Sequence, residues 1–441
     1  MSATLAGTAV AQPADPGAPP PAGDLAAPPA APPVITTPTN APAATPEQPA
    51  STTVATSVPP PPPPATTIAP VKIDSPSTTI KFGFLGQFQW EATQPVAPAG
   101  TATPLDGYSQ NLFVRRTRIL VGGTLFGKID YFFDTDFANL FKASPVAGAA
   151  GAPATMAKAT PGMNIQDAFV TYKPFGDLLK VDAGYMLPPL AHNALQGAGS
   201  LYSWDYFSNS FLHSSAPPTG FLFGASTNSV GRDVGLQLRG LVLDGHLEYR
   251  VGMFQGVRNT PSATEVGSRN MFRTTARVQI NLLDAEPGFF YAGTYFGAKK
   301  ILSVGGSFDM QENYKYWAAD ALADLPLGPG VVTAQVNVAQ WNAGDKTELL
   351  GGAAGPIIPK QTAVMGEAGY TISAMHASPI LRIEHRIATG TAKDETRIGG
   401  GLAFWPYLHN TNLKVFYTRV MQEDSVRNAN QFNVQWQVYF F

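Results

Sequence analysis

The chain has 441 residues, no cysteine, 29 Lys and Arg against 31 Asp and Glu, and only 14% charged residues, where soluble globular proteins carry about 25%. This balance gives no support to nucleic-acid binding or to a polybasic membrane anchor, and no run of about 18 apolar residues lies past the N-terminus to make a helical span. A mean hydropathy near zero is what strands with one lipid face and one wet face average to, and the missing thiols suit an oxidising periplasmic route.

At the N-terminus, Ala9, Val10 and Ala11 before Gln12 have the small-x-small form of a signal-peptidase site, although no Lys or Arg precedes them. Residues 1–11 are expected to be the remnant of a signal peptide whose true start lies upstream. Residues 12–79 are expected to be a disordered, Pro/Ala-rich periplasmic tether. Between 12 and 70 stand 20 of the 40 prolines, including the run Pro59 to Pro64, with almost nothing large and apolar to bury. Fully extended in polyproline II at ~3.1 Å per residue, that stretch reaches roughly 180 Å, enough for a contact with the cell wall. Charge follows the same division: the first basic residue is Lys72, and only Asp15, Asp24 and Glu47 precede it.

From residue 80 to 441, segments of about ten residues alternate apolar with polar and are separated by turn chemistry. Sixteen fit: 80–91, 112–123, 128–137, 163–173, 177–187, 231–243, 245–256, 270–283, 300–311, 314–323, 330–341, 362–373, 378–388, 395–405, 412–422 and 431–441. The last is diagnostic. Phe432, Val434, Trp436, Val438 and Phe440 share one face and Asn433, Gln435 and Gln437 the other, as suits a strand between lipid and a watery lumen. Short links such as Leu125 to Gly127, Pro174 to Gly176 and Asp244-Gly245 follow even-numbered strands, and mostly long ones (near 92–111, 138–162, 188–230 and 342–361) follow odd-numbered strands. The long link after 283 and the short ones near 312 and 390 break the rule. The pattern predicts an all-β, sixteen-stranded antiparallel transmembrane barrel with short periplasmic turns, long outer loops and both ends periplasmic. Trp90, Trp341 and Trp405, near strand ends, are expected at the membrane interfaces.

Motifs for chemistry are absent. Gly122 to Ile129 has the spacing of a phosphate-binding loop as far as its lysine, but Ile129 replaces the Ser or Thr that would hold magnesium, and the segment reads as a hairpin. The histidines (192, 213, 246, 376, 385 and 409) lack metal-ligand spacing, so neither a metal, a cofactor nor an enzymatic activity is expected. The informative side chains are the charged ones that alternation turns inward, because an Arg or Lys facing lipid at the midplane costs about 2–4 kcal/mol. Arg273 and Arg277 share a face with Thr275, Gln279 and Asn281; Arg382 and Arg386 share one with Glu384; Arg250 shares one with Glu248. Arg116 and Arg118 lie together on a strand of ambiguous alternation. These seven arginines are the expected pore-lining residues, either steering solutes or bracing the wall as ion pairs.

The segments Asn111 to Arg118 (NLFVRRTR), Tyr131 to Ala138 (YFFDTDFA), Ile165 to Pro174 (IQDAFVTYKP), Gly184 to Met186, Gly231 to Gly235 (GRDVG) and Gly293 to Gly297 (GTYFG) resemble, in order and spacing, the phosphate-selective porin O/P family over residues 80–441. The resemblance implies a sixteen-stranded, homotrimeric channel in the outer membrane of a Gram-negative-type bacterium, with its third long loop folded into the pore and basic residues lining an anion path. One departure bears on selectivity. Loop 188–230 has no Lys or Arg, and its only formal charge is Asp205, among Tyr202, Trp204, Tyr206 and Phe207. These five are the expected constriction residues, and a lysine-based phosphate site on this loop is excluded. The expected function is passive diffusion of small hydrophilic solutes, with an anion or phosphate preference carried by wall arginines. The alternative is a barrel anchor for the proline-rich tether with little transport.

Overall fold

The alternation of small or polar with apolar residues has one consequence for backbone: every strand needs a neighbour on both sides, and only a closed sheet supplies it. The computed structural model describes residues 69–94, 97–98, 107–146, 155–158, 162–207, 231–256, 271–311, 314–342, 360–389 and 394–441. The signal remnant, most of the tether and positions 208–230 of the third long loop lie outside them. Sixteen strands close the barrel: β1 Thr78–Gln94, β2 Ser109–Leu125, β3 Ile129–Asp136, β4 Asn164–Tyr172, β5 Lys180–Met186, β6 Asp233–Val242, β7 Leu247–Phe254 and β8 Arg273–Asn281 in the first half. The second half is β9 Ile301–Gln311, β10 Tyr314–Leu327, β11 Gly330–Asn342, β12 Gln361–Ile372, β13 Ala377–Ala388, β14 Glu395–Tyr407, β15 Thr411–Gln422 and β16 Ala429–Phe440. Each pairs antiparallel with its sequence neighbours, and β16 closes on β1 in a register running from Phe84 opposite Phe440 to Gln94 opposite Asn430. Where β16 ends, the edge of β1 is covered by a short strand, Val71–Asp74, that pairs with residues 79–82. This strand lies inside the segment read as tether.

Side chains follow the period of two. On β8, Arg273, Thr275, Arg277, Gln279 and Asn281 are buried within the barrel, while Thr274, Val278 and Ile280 face out. On β13, Leu381 is 73% exposed on the outer face and Arg382, Glu384 and Arg386 point in. Tight turns at one rim need left-handed backbone: Leu243, Asp244 and Gly245 between β6 and β7 all have positive φ, as do Phe126 and Gly127 between β2 and β3. Gly122, Gly123 and Lys128 therefore belong to a hairpin and not to a strand entering a helix.

Two tryptophans depart from expectation. Trp90 does face outward, with Trp317 and Trp436, but Trp341 and Trp405 are 1% and 0% exposed inside the barrel. Their strand positions put them at the rims, yet parity turns them inward, where Trp341 packs on Tyr316 and Trp405 on Tyr202 and Phe296. They are the core on which chain folded into the lumen rests.

Candidate functional site

Among the described residues two segments enter the barrel, one from each rim. From the rim of long loops comes the chain after β5, which is buried or half-buried through Phe207. Leu190, Ala191, Ala194 and Phe207 pack on Tyr314, Tyr316, Trp341 and Met365, and the short turn His192–Leu195 is pinned by its backbone: His192 N donates to Asp320 at 3.0 Å and Asn193 N to Asn337 at 3.1 Å. From the opposite rim comes 285–299, the long link noted between β8 and β9. Asp284 N and Lys300 O close its base at 3.0 Å, and Phe289, Tyr291 and Thr294 are buried.

The segments meet in mid-barrel. Tyr291 N donates to Leu195 O (3.0 Å), Gly197 N to Tyr291 O (2.9 Å) and Gly293 N to Ser200 O (2.8 Å). His192 stacks on Tyr291 at 4.5 Å and holds Glu286 at 3.0 Å, while Tyr295 donates to the other oxygen of Glu286 at 2.6 Å. Gly293 is required here because a Cβ would sit 2.5 Å from Tyr202 N. Wall cations satisfy the carbonyls that the inserted chain brings: Arg250 donates to Phe289 O and Gly288 O, and Arg239 and Lys180 to Pro287 O.

Beyond the junction the loop is tied to the barrel wall. Asp205 is clamped by Arg115 (3.0 Å) and Arg116 (2.7 Å), and Arg382 donates to Asp205 O and to Ser203 Oγ, each at 2.6 Å. Burial alone would raise the Asp205 carboxyl, but the two guanidiniums hold it well below the usual carboxylate range, so the clamp stays charged at any physiological pH. Lys414 secures the same stretch through Leu201 O and Ser203 O. Tyr202 stacks on Trp405, Trp204 packs beside it, and Tyr206 donates to Gln196 O at 2.8 Å beneath the Arg116 guanidinium. Tyr206 lines two cavities: one of about 140 Å³ toward the long-loop rim, with Arg382 and Arg397, and one of about 590 Å³ toward the turn rim, with Arg118 and Arg232.

All seven arginines read from the sequence point into the barrel, and so do carboxylates that balance them. Arg118 meets Asp134 and Asp136; Arg250 meets Glu248; Arg273 meets Asp309 and Asp233; Arg277 meets Asp320; Arg382 meets Glu384 and Glu367. Arg386 is buried near Glu395 on the next strand. Arg115 was missed, since alternation from Arg116 turns it outward. A bulge opposite Gln87 and Phe88 inserts Arg115 as an extra residue, so that both arginines reach Asp205. Among the described residues no group of three or more His, Asp or Glu is placed to hold a metal ion.

His409, in the turn between β14 and β15, anchors the second segment from below: its Nε2 donates to Thr294 O at 2.9 Å, with Phe296 and Trp405 around the ring. Burial pushes its imidazole down to about 4, with Lys414 adding to the effect. The neutral ring is the one that fits, so its contribution is complete above about pH 6.5 and is lost as pH falls toward 4, on the order of 3 kcal/mol for a shift of this size. Between pH 7 and pH 4 the wild type should lose more thermal stability than His409→Gln, which keeps a donor and cannot titrate; parallel curves would show that His409 does not anchor this segment.

Comparison with known proteins agrees with this architecture. Residues 98–206 match the profile of the phosphate-selective porin O and P family. No curated protein matches the chain. Among solved structures, an anion-selective porin from Comamonas acidovorans is similar at 12% identity and TM-score 0.50, covering 82% of this chain and all of its own. The outer membrane channel DcaP of Acinetobacter baumannii (13% identity, TM-score 0.49) covers 85% of this chain and all of its own, and Salmonella typhi OmpF (12%, 0.49) covers 84% and all of its own. The fold is shared with the anion-selective porin, and the family resemblance read from the sequence holds over the matched residues. The described residues form a β-barrel with the fold of a porin.

Proposed function

We propose that small hydrophilic solutes diffuse passively through this barrel, from the cavity at Arg382 and Arg397, past Tyr206, into the larger cavity toward the periplasm. The observation that carries the reading is that Tyr206 is a wall of both cavities. Phosphate selectivity has little support, because the loop carries no cation and the wall arginines face carboxylates; a weak preference of either sign fits a lumen so balanced. The trimer implied by the family resemblance belongs to this reading, and cross-linking in detergent checks it. Purified full-length protein in planar bilayers should open in discrete steps, and Tyr206→Ala should raise the step size. Steps that do not change in Tyr206→Ala would move the path away from this ring.

A second reading, a closed barrel that anchors the N-terminal extension, is favoured by the backbone hydrogen bonds that join the two inserted segments. It expects no steps in the wild type.

A further inference from the structure

We infer that the outer wall around Arg419 is a binding site for a phosphorylated glycolipid of the surrounding leaflet. The site presupposes a membrane-embedded barrel with its long loops outward and is independent of conduction. Among the described residues of the sixteen strands, Lys315 and Arg419 are the exposed Lys or Arg, and no Asp or Glu is exposed there. Both lie close to the long-loop ends of their strands, β10 and β15. An arginine turned to lipid is costly at the midplane and tolerated near the interface. Arginines of the lumen such as Arg118 and Arg277 meet carboxylates, but Arg419 does not. Among the described residues its one hydrogen bond runs from Nη1 to the neutral Asn430 Oδ1 at 3.1 Å, an oxygen that also accepts from Tyr417 at 2.7 Å. The other N–H groups of the guanidinium stay unspent, and its planar fork matches two oxygens of a phosphate.

The wall beneath Arg419 grades as a lipid does. Arg419 stands opposite Asn430, Tyr417 opposite Phe432 and Val415 opposite Val434. Toward the midplane the outer face of β15 and β16 therefore passes from a cation and an amide, through two rings 4.8 Å apart, to aliphatic side chains. Headgroup, interface and acyl chain ask for that order. Polar groups continue the upper level along one side of the barrel. His385 Nδ1 lies 2.8 Å from Thr396 Oγ1 on β13 and β14, and Trp317 donates to Gln340 at 2.7 Å on β10 and β11. On β4, β6 and β7 the outward positions near the same rim are instead Ile165, Val234 and Met253. A sugar headgroup brings hydroxyl and amide groups to such a band, and its phosphate brings the charge that Arg419 lacks.

Full-length protein refolded in detergent should be titrated with bisphosphorylated lipid A, with lipid A stripped of its phosphates and with phosphatidylglycerol, and the bound lipid counted by native mass spectrometry. Bisphosphorylated lipid A should bind tightest, and millimolar inorganic phosphate should not displace it. Arg419→Gln should weaken its binding about ten-fold, as expected for a lost hydrogen bond to a charged group. Arg419→Lys, which keeps the charge and loses the fork, should fall between. Because Arg419 is exposed, both variants should keep the heat-modifiable folded band, which separates lost binding from lost fold. Equal binding to wild type and Arg419→Gln, equal binding of the stripped lipid, tighter binding of phosphatidylglycerol, or displacement by inorganic phosphate overturns the inference. Conductance in planar bilayers should be the same in Arg419→Gln as in the wild type, so failure of the lipid site leaves the channel reading standing.

Discussion

Replacing residues 285–299 by a two-residue Asn-Gly turn is expected to raise single-channel conductance several-fold, or to create conductance where the wild type shows none. The replacement is geometrically permitted because Asp284 and Lys300 already face each other, Asp284 N donating at 3.0 Å and Lys300 N returning to Asp284 Oδ2 at 2.8 Å, which is where a tight hairpin would close. It removes Phe289, Tyr291, Thr294 and Tyr295 from the lumen and frees the loop edge at Leu195 and Gly197. A milder version keeps the chain length: Gly293→Val places a side chain against Tyr202 N and should expel the segment from its seat. Both variants should also let current noise rise, since the loop from the opposite rim loses its partner. If conductance stays at the wild-type value in both, the inserted segment lies beside the path and the channel runs elsewhere.

The sequence carried the barrel for a physical reason. Lipid outside and water inside impose opposite chemistry on alternate residues, and β8, β13 and β16 show it residue by residue. Turn length separates the rims because a two- to four-residue link needs positive-φ positions such as Asp244 and Gly245, which composition reveals. Where the lumen is not water, the same logic fails. Trp341 and Trp405 look like interface anchors to a reading that knows only their place near strand ends; they face inward because chain fills the barrel there. The link after β8 stood out by length, but nothing in Glu286 to Gly297 says which way it turns. Its grip on His192, Leu195 and Ser200 is a meeting of residues about ninety positions apart.

The charge pairs were half legible. Glu248 with Arg250 and Glu384 with Arg382 lie two residues apart on one strand, and alternation alone puts them together. Arg277 and Asp320 are two strands apart, on β8 and β10. They meet across Gly305 of β9, where a Cβ would lie 2.5 Å from Arg277 Nη2 and 2.7 Å from Asp320 Oδ1. Finding that pair needs the register of three strands and the absence of one side chain. Arg115 needs a bulge, which no period-two reading contains.

Arg277→Gln alone is expected to destabilise the barrel by about 3–5 kcal/mol, because it strands a buried carboxylate at Asp320. Arg277 donates to both oxygens of Asp320 at 2.7 and 2.8 Å and to Leu190 O at 3.2 Å, and Asp320 in turn accepts from His192 N. The pair therefore seats the inserted loop, and its loss should lower the heat-modification temperature and enlarge the pore. The reversal potential in a salt gradient should move toward cations, since one wall cation is lost and its carboxylate stays behind. Arg277→Gln combined with Asp320→Asn separates two roles that the single change confounds. If the arginine serves as half of a neutral brace, the double variant should recover most of the stability and return the reversal potential to the wild-type value, because one charge of each sign has gone. If Arg277 instead supplies a field that draws anions, the double variant should lose anion preference as fully as the single one, and the difference should shrink as salt shortens screening to about 10 Å at 0.1 M. Geometry favours the first outcome: a guanidinium that spends two donors on one carboxylate and another on Leu190 O has little field left for a passing solute.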